Sequence, residues 1–160
     1  MSLQKLNKFI AKLEGIDDFI VTTSDNIIRR DRKLFVEQIR GQLTEAGVGY
    51  DGESLEFQQD RKSPLNVSGA YTVPYSRYKS GRGGTTAYVD LYLSGRFQKS
   101  IQMLQVGEGE WTFSSDGITY NYLLLNYGDV ILGVKDEFLD EYTPNMEKEL
   151  QEKVDKYLKV

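Results

Sequence analysis

The chain has 160 residues, with 20 Lys plus Arg against 24 Asp plus Glu, and contains neither His nor Cys. That length suits a single domain able to bury roughly two-thirds of its unfolded surface, and 39% apolar with 28% charged residues excludes wholesale disorder. The missing Cys excludes disulfides, thiolate catalysis and Cys-held metals, and the missing His excludes an imidazole base, a Ser-His-Asp relay and a His-held zinc or iron.

In chain order, Leu3, Leu6, Phe9, Ile10 and Leu13 form one apolar stripe at helical spacing. Gly15 ends that helix, and Asp17-Asp18 offer an N-cap for the next. From about Phe19 to Ala46 the stripe continues through Ile20, Ile27, Ile28, Phe35, Ile39 and Leu43. The polar run from Arg29 to Lys33 is read as a solvent or partner face, and Gly47, Gly49 and Gly52 end the helix. Residues 52–88 carry Pro64, Pro74, Gly69, Gly81, Gly83 and Gly84, with no clear period. They are expected to form a long loop or extended arm, a feature that is usually functional or disordered.

Strands are expected next. Ala87 to Leu93 is rich in β-formers, Ser100 to Val106 alternates, and Gly107-Glu108-Gly109-Glu110 is a hairpin turn before Trp111-Thr112-Phe113-Ser114. Asp116-Gly117 reads as a further turn, and Tyr120 to Tyr127 as a short helix ended by Gly128. The C-terminal segment is helical but broken at Thr143-Pro144, where a new helix is expected to start. Met146, Leu150, Val154 and Tyr157 then share one face. The fold class is α+β within a single domain spanning 1–160. It comprises a helical region (1–47), an extended arm (48–87), a small antiparallel sheet with a short helix (88–134) and C-terminal helices (135–160).

Charge is distributed unevenly. Residues 1–56 carry 8 basic and 10 acidic side chains, residues 57–100 carry 7 and 2, residues 101–134 carry none and 4, and residues 135–160 carry 5 and 8. A block of net +5 thus lies between acidic flanks, as head-to-tail packing of identical subunits or a positive patch facing DNA would require. Within that block Tyr71, Tyr75 and Tyr78 are interleaved with Arg77, Lys79 and Arg82. Tyr and Arg are enriched in protein-interface hot spots, and the same pair of residue types can stack on bases and hold phosphates. Both readings stay open, with a protein interface favoured because the whole chain is negative.

Enzyme motifs fare worse. Ser80-Gly81-Arg82-Gly83-Gly84-Thr85-Thr86 is glycine-rich but lacks the Gly-Lys-Ser/Thr ending of a phosphate loop. Asp136, Glu137, Asp140 and Glu141 read as a solvated acidic face at a helix start, and Asp51-Gly52-Glu53 is too short for a calcium loop. No catalytic, cofactor-binding or metal-ligating residue is assigned. The longest apolar cluster, Tyr122 to Leu125, falls far short of the roughly 20 residues of a membrane span. The N-terminus lacks the apolar core of a signal peptide, so a soluble protein made in the cytoplasm, without a membrane partner, is expected.

One block is more specific. Leu93-Ser94-Gly95-Arg96-Phe97-Gln98-Lys99-Ser100-Ile101 resembles the L-x-T/S-G-x-L/F-x-x-S-I/F signature of the virion-morphogenesis or tail-completion (neck, head–tail connector) proteins of tailed bacteriophages. In that family it forms a strand end, a tight Gly turn, one helical turn and a second strand. The Gly49-Tyr50-Asp51-Gly52 loop, the Tyr/Pro segment, Tyr127-Gly128 and the final acidic helix follow a similar order. Asp129 to Val134 is similar to structural proteins of phages infecting Bacteroidetes, including crAss-like phages. The final helices are longer here than in the commonest tail-completion domains.

The resemblance implies a structural virion protein, not an enzyme, made in the host bacterial cytoplasm and forming a homo-oligomeric ring at the neck or top of the tail. Its partners would be further copies of itself, portal, adaptor or other tail and neck proteins, and non-specific DNA in the lumen. Candidate interface residues are Tyr71, Tyr75, Arg77, Tyr78, Lys79 and Arg82. Candidate motif and turn residues are Ser94, Gly95, Phe97, Ser100, Tyr127 and Gly128, with Phe97, Ile101, Trp111 and Phe113 expected in the core. The alternative is a nucleic-acid-binding accessory protein using the basic, Tyr-rich segment 57–100.

Overall fold

A computed structural model describes residues 3–55, 71–91 and 94–159. Pro64, Gly69 and the end of the expected first strand, Tyr92 and Leu93, lie outside them. Helix α1 spans Leu3–Glu14 and α2 spans Ile16–Gly41, wound on through one wider turn at Gln42–Ala46 to the left-handed Gly47. Helix α3 spans Val73–Ser80 and α4 spans Arg96–Ser100. Strands β1 (Gln102–Gly107) and β2 (Glu110–Ser114) follow, then α5 (Gly117–Tyr127), a short 3-10 turn at Asp129–Ile131, and α6 (Asp136–Leu158). The fold is α+β, with helices at both ends and a small antiparallel sheet between them.

The long helix α2 is the spine. Its buried residues Phe35, Val36 and Ile39, with Leu43 just beyond, form one side of a core completed by Leu55, Tyr71, Val89, Phe97, Ile101, Met103, Leu123, Tyr127 and Ile131. Helix α6 lies antiparallel against it. Phe35 meets Phe138 and Tyr142 edge to face at 5.2 and 4.7 Å, and Phe19 stacks on Tyr157 at 4.0 Å. Arg30 bridges the two helices from the surface, its guanidinium on both Asp31 and Glu149. Exposed pairs of that kind add little to stability because water screens them, so the aromatic contacts set the helix pairing. Helix α1 leaves Leu6, Ile10 and Leu13 exposed, and Lys12 ties it to the Lys159 carbonyl at the end of α6.

The hairpin is held to α2 by the Asp25 carboxylate and by Arg29, whose guanidinium donates to Gln105 Oε1 at 2.7 Å. Asp25 accepts hydrogen bonds from Trp111 Nε1 (2.9 Å), Gln105 Nε2 (2.6 Å) and the Gly109 amide (3.3 Å). The register places Met103 opposite Phe113 and Gln105 opposite Trp111, with a bulge before Gly107. Trp111 and Phe113 are half-buried against the core, while Phe97 and Ile101 are fully buried.

Four expectations need correction. Residues 87–91 form no strand: Val89 and Asp90 are buried, Leu91 has positive φ, and Asp90 is tied to Tyr71 and Lys79 instead of to a ladder. The arm expected over 48–87 contains α3, begun by Thr72 in extended conformation with Pro74 in the first turn, where its missing N–H costs nothing. Asp116-Gly117 is a helix start, with Asp116 extended, so α5 begins three residues before Tyr120. Finally, α6 is continuous through Pro144. Pro144 is exposed, so the carbonyl that loses its partner can be met by water, and the Asn145 side chain returns to the Glu141 carbonyl at 3.0 Å.

Acid sensitivity follows from three carboxylates held below their ordinary range. The Trp111 indole bond lowers Asp25 against opposing desolvation, and the Arg30 guanidinium lowers both Asp31 and Glu149. A depressed folded value means that the unfolded chain binds more protons over that interval. The contribution is therefore complete above about pH 4.3, the ordinary carboxylate range, and is lost as pH falls through the lower folded values. Urea unfolding at a series of pH values should show stability falling below about pH 4. Asp25→Asn should flatten that fall, and an unchanged slope would show that the hairpin anchor does not depend on charge.

Candidate functional site

The Tyr-rich segment sorts itself by burial. Lys79 is 1% exposed, Tyr71 7% and Asp90 5%. The Lys79 ammonium donates to both Asp90 Oδ1 and Tyr71 Oη, the latter at 2.8 Å. Tyr71 Oη donates to Asp90 Oδ1 at 3.0 Å and accepts from the Asp90 amide at 3.1 Å, and the ammonium also lies 4.6 Å from the Tyr71 ring centroid. Burial pushes the Tyr71 phenol well above its usual range, with the Asp90 amide bond opposing. Tyr71 and Lys79, expected at an interface, are therefore internal; they pin α3 to the buried segment at Val89-Asp90.

The glycine-rich run serves this internal pair. The amides of Arg82 and Gly84 donate to the Lys79 carbonyl, and that of Gly83 to the Ser80 carbonyl. Those N–H groups point into the chain, where they cannot cradle an anion. A Cβ on Gly84 would sit 2.8 Å from Lys79 Cγ, so this position must be glycine for the backbone to close over the lysine stem.

What remains at the surface is the exposed part of α3. Tyr75 (38% exposed) and Tyr78 (48% exposed) pack at 6.3 Å, and the Arg82 guanidinium lies 4.7 Å from the Tyr78 centroid. Arg77 is exposed on the same short helix. Tyr75 also leans on Tyr71 at 5.3 Å, which couples the exposed aromatics to the buried pair. Burial raises the Tyr75 phenol above its ordinary value, with Asp90, Tyr122 and Tyr78 adding to the shift. Helix α5 supplies Leu123 and Tyr127 to the core that also holds Tyr71. Tyr122 and Leu125, one turn apart on α5, are both strongly exposed. The result is an exposed aromatic pair on α3 with Arg82 stacked on it, anchored beneath by an internal salt bridge.

The motif residues occupy a different region. Gly95 takes the left-handed conformation at φ 70°, and one helical turn follows, closed by the Lys99 amide on the Gly95 carbonyl. Phe97 is buried and stacks on Tyr120. Ser100 Oγ bonds the Phe97 carbonyl and Ser115 Oγ, joining the turn to the end of β2. Gln98, buried, donates to the Leu91 carbonyl at 2.7 Å. Ser94 is exposed. Tyr127 is buried and Gly128, at φ 79°, ends α5. The Gly49-Tyr50-Asp51-Gly52 loop docks on the chain just after Gly128, the Tyr50 amide donating to the Val130 carbonyl at 2.9 Å. The two segments thus meet in the fold. These residues shape the core and its turns.

Asp90 and Asp25 escaped sequence reasoning. Asp90 did leave a signal: it is a lone charge inside the run Val89-Asp90-Leu91, a place where a carboxylate needs a buried cation. Asp25 left none, since polar residues surround it in the sequence. Among the described residues no group of three or more Asp or Glu side chains is gathered as a metal site, and no helix is long and apolar enough to cross a membrane.

Removing one partner of a buried ion pair strands the other charge, at a cost of about 3–5 kcal/mol. Lys79→Met should therefore lower unfolding stability by that order in urea titration. Adding Asp90→Leu should recover most of the loss, because an apolar pair of similar volume is often as stable. If the double variant is no better than the single one, Asp90 has a partner beyond Lys79 that matters more.

Compared with known proteins, the chain matches no protein-family model, no curated protein and no solved structure.

Proposed function

We propose that the chain is a structural virion protein of a tailed phage, assembling into a homo-oligomeric ring at the neck and joining portal or adaptor to tail. The observation that carries the reading is the exposed aromatic and basic face of α3, with Tyr75, Tyr78, Arg77 and Arg82 held on a rigid internal pair. Rigid tyrosines and arginines desolvate at low entropic cost and dominate interface energies. The similarity of residues 93–101 to the tail-completion signature supplies the family context. In the fold Gly95, Phe97 and Ser100 of that block shape a tight turn leading into β1. The function is assembly, and no covalent step is assigned to any residue.

A ring of identical subunits uses heterologous contacts, in which one patch meets a different patch on the next copy. A chain with a +5 block between acidic segments is suited to that. Arg96 and Lys99 are exposed beside the α4 turn and would add positive charge to a lumen through which DNA passes. Mass spectrometry of purified virions should find the protein in many copies per particle. Its absence from virions would end the neck assignment.

The nucleic-acid reading retains one specific support, the Arg82 guanidinium over the Tyr78 ring beside Tyr75, since such a platform also stacks on bases. A gel-shift series against salt separates the readings: sub-micromolar binding with a steep salt slope belongs to a nucleic-acid protein.

A further inference from the structure

We infer that the exposed aromatic and basic surface of α3 docks on the acidic first turns of α6 in a second copy of the chain, head to tail. The inference rests on the assembly reading and names the partner surface for it. Tyr75 and Tyr78 are the exposed apolar part of the first surface, with Arg82 stacked on Tyr78 and Arg77 exposed on the same helix. The second surface is built by helical spacing. Asp136, Leu139 and Asp140 lie on one face of α6, with Glu137 and Glu141 beside them. The opposite face, at Phe138 and Tyr142, is already used against Phe35, so the outer face stays available to a partner.

That outer face has the complementary chemistry. Leu139 is a large apolar side chain, 37% exposed, set among four exposed carboxylates. Among the described residues none of Asp136, Glu137, Asp140 and Glu141 is engaged in an ion pair. Arginines set against the Asp136 and Asp140 carboxylates beside Leu139 would give both steering and register. Pairing of the basic surface with itself is disfavoured, because it would bring Arg77 and Arg82 toward the like charges of a second copy. A basic-to-acidic contact made head to tail repeats from copy to copy, which is the geometry a ring needs. DNA would satisfy the arginines equally well but would leave the acidic, Leu-bearing face of α6 without a role.

The absence of native Cys makes the contact directly testable. Tyr78→Cys and Leu139→Cys each alter an exposed position, so both variants should fold. Mixed under oxidising conditions, they should give a disulfide-linked dimer at about tenfold the yield of either variant alone. Adding Arg77→Glu and Arg82→Glu to the first variant should remove that excess by about the same factor. Adding Asp136→Lys and Asp140→Lys to the second should then restore it. A dimer from Tyr78→Cys alone, no excess in the mixture, or indifference to charge reversal would each overturn the contact. Protection of the introduced thiol in the Tyr78→Cys variant by a single-stranded oligonucleotide, without mixed dimer, would overturn it and give the face to nucleic acid. The virion experiment stands apart: mixed dimers from a protein missing in virions keep this contact and remove the neck assignment, whereas virion protein without mixed dimers does the reverse.

Discussion

Two opposite charges taken out of water must find each other, and here that requirement falls on Lys79 and Asp90. The ammonium of one and the carboxylate of the other, both nearly inaccessible, meet with the Tyr71 hydroxyl as their shared neighbour. Buried pairs of this kind are seldom net stabilising relative to apolar residues of the same volume, but they tolerate only one arrangement. Helix α3 has eight residues and little apolar periodicity, so its own tendency to form is weak. The pair fixes its position, and with it the orientation of Tyr75 and Tyr78. The glycines that follow close the backbone over the lysine stem.

The same logic recurs at Asp25, with uncharged donors in place of an ammonium. There a carboxylate gathers an indole N–H, a side-chain amide and a backbone amide, and so docks a two-stranded hairpin on α2. A lone hairpin is marginal in water. Against α2 it also buries Met103 and half-buries Trp111 and Phe113. The core is thus one helix-centred unit, and its polar anchors decide which smaller elements attach and where.

How far the sequence could be read depended on whether a signal was local. The stripes of α1, α2 and α6, the hairpin turn at Gly107 to Glu110, and the Gly95 turn are periodic or positional features, and each is legible in a short window. The Ala87 to Leu93 run misled because β-propensity describes a half-buried pleated surface, whereas Asp90 serves a partner eleven residues upstream. Pro144 misled for the reverse reason: its local rule is sound, but an exposed position can be hydrated and so tolerates the lost bond. At the candidate surface the residue types were legible and their sorting was not. Nothing local distinguishes Lys79 from Arg77 or Tyr71 from Tyr75, and only the fold sends one of each pair inward.

Helix α6 has a mechanical side as well. Its 23 residues span about 35 Å at 1.5 Å per residue, a rod running along α2. One end carries the acidic turns, and the other holds α1 through Lys12 and Tyr157. Along this rod Pro144 lacks a backbone N–H, so the Asp140 carbonyl one turn earlier goes without its helical partner. That notch separates two clamped lengths. Phe138 and Tyr142 are gripped by Phe35 on one side of it, while Glu149 and Tyr157 are held by Arg30 and Phe19 on the other. A strut whose compliance lies between two fixed lengths can take up small differences in angle between its ends without parting either set of contacts.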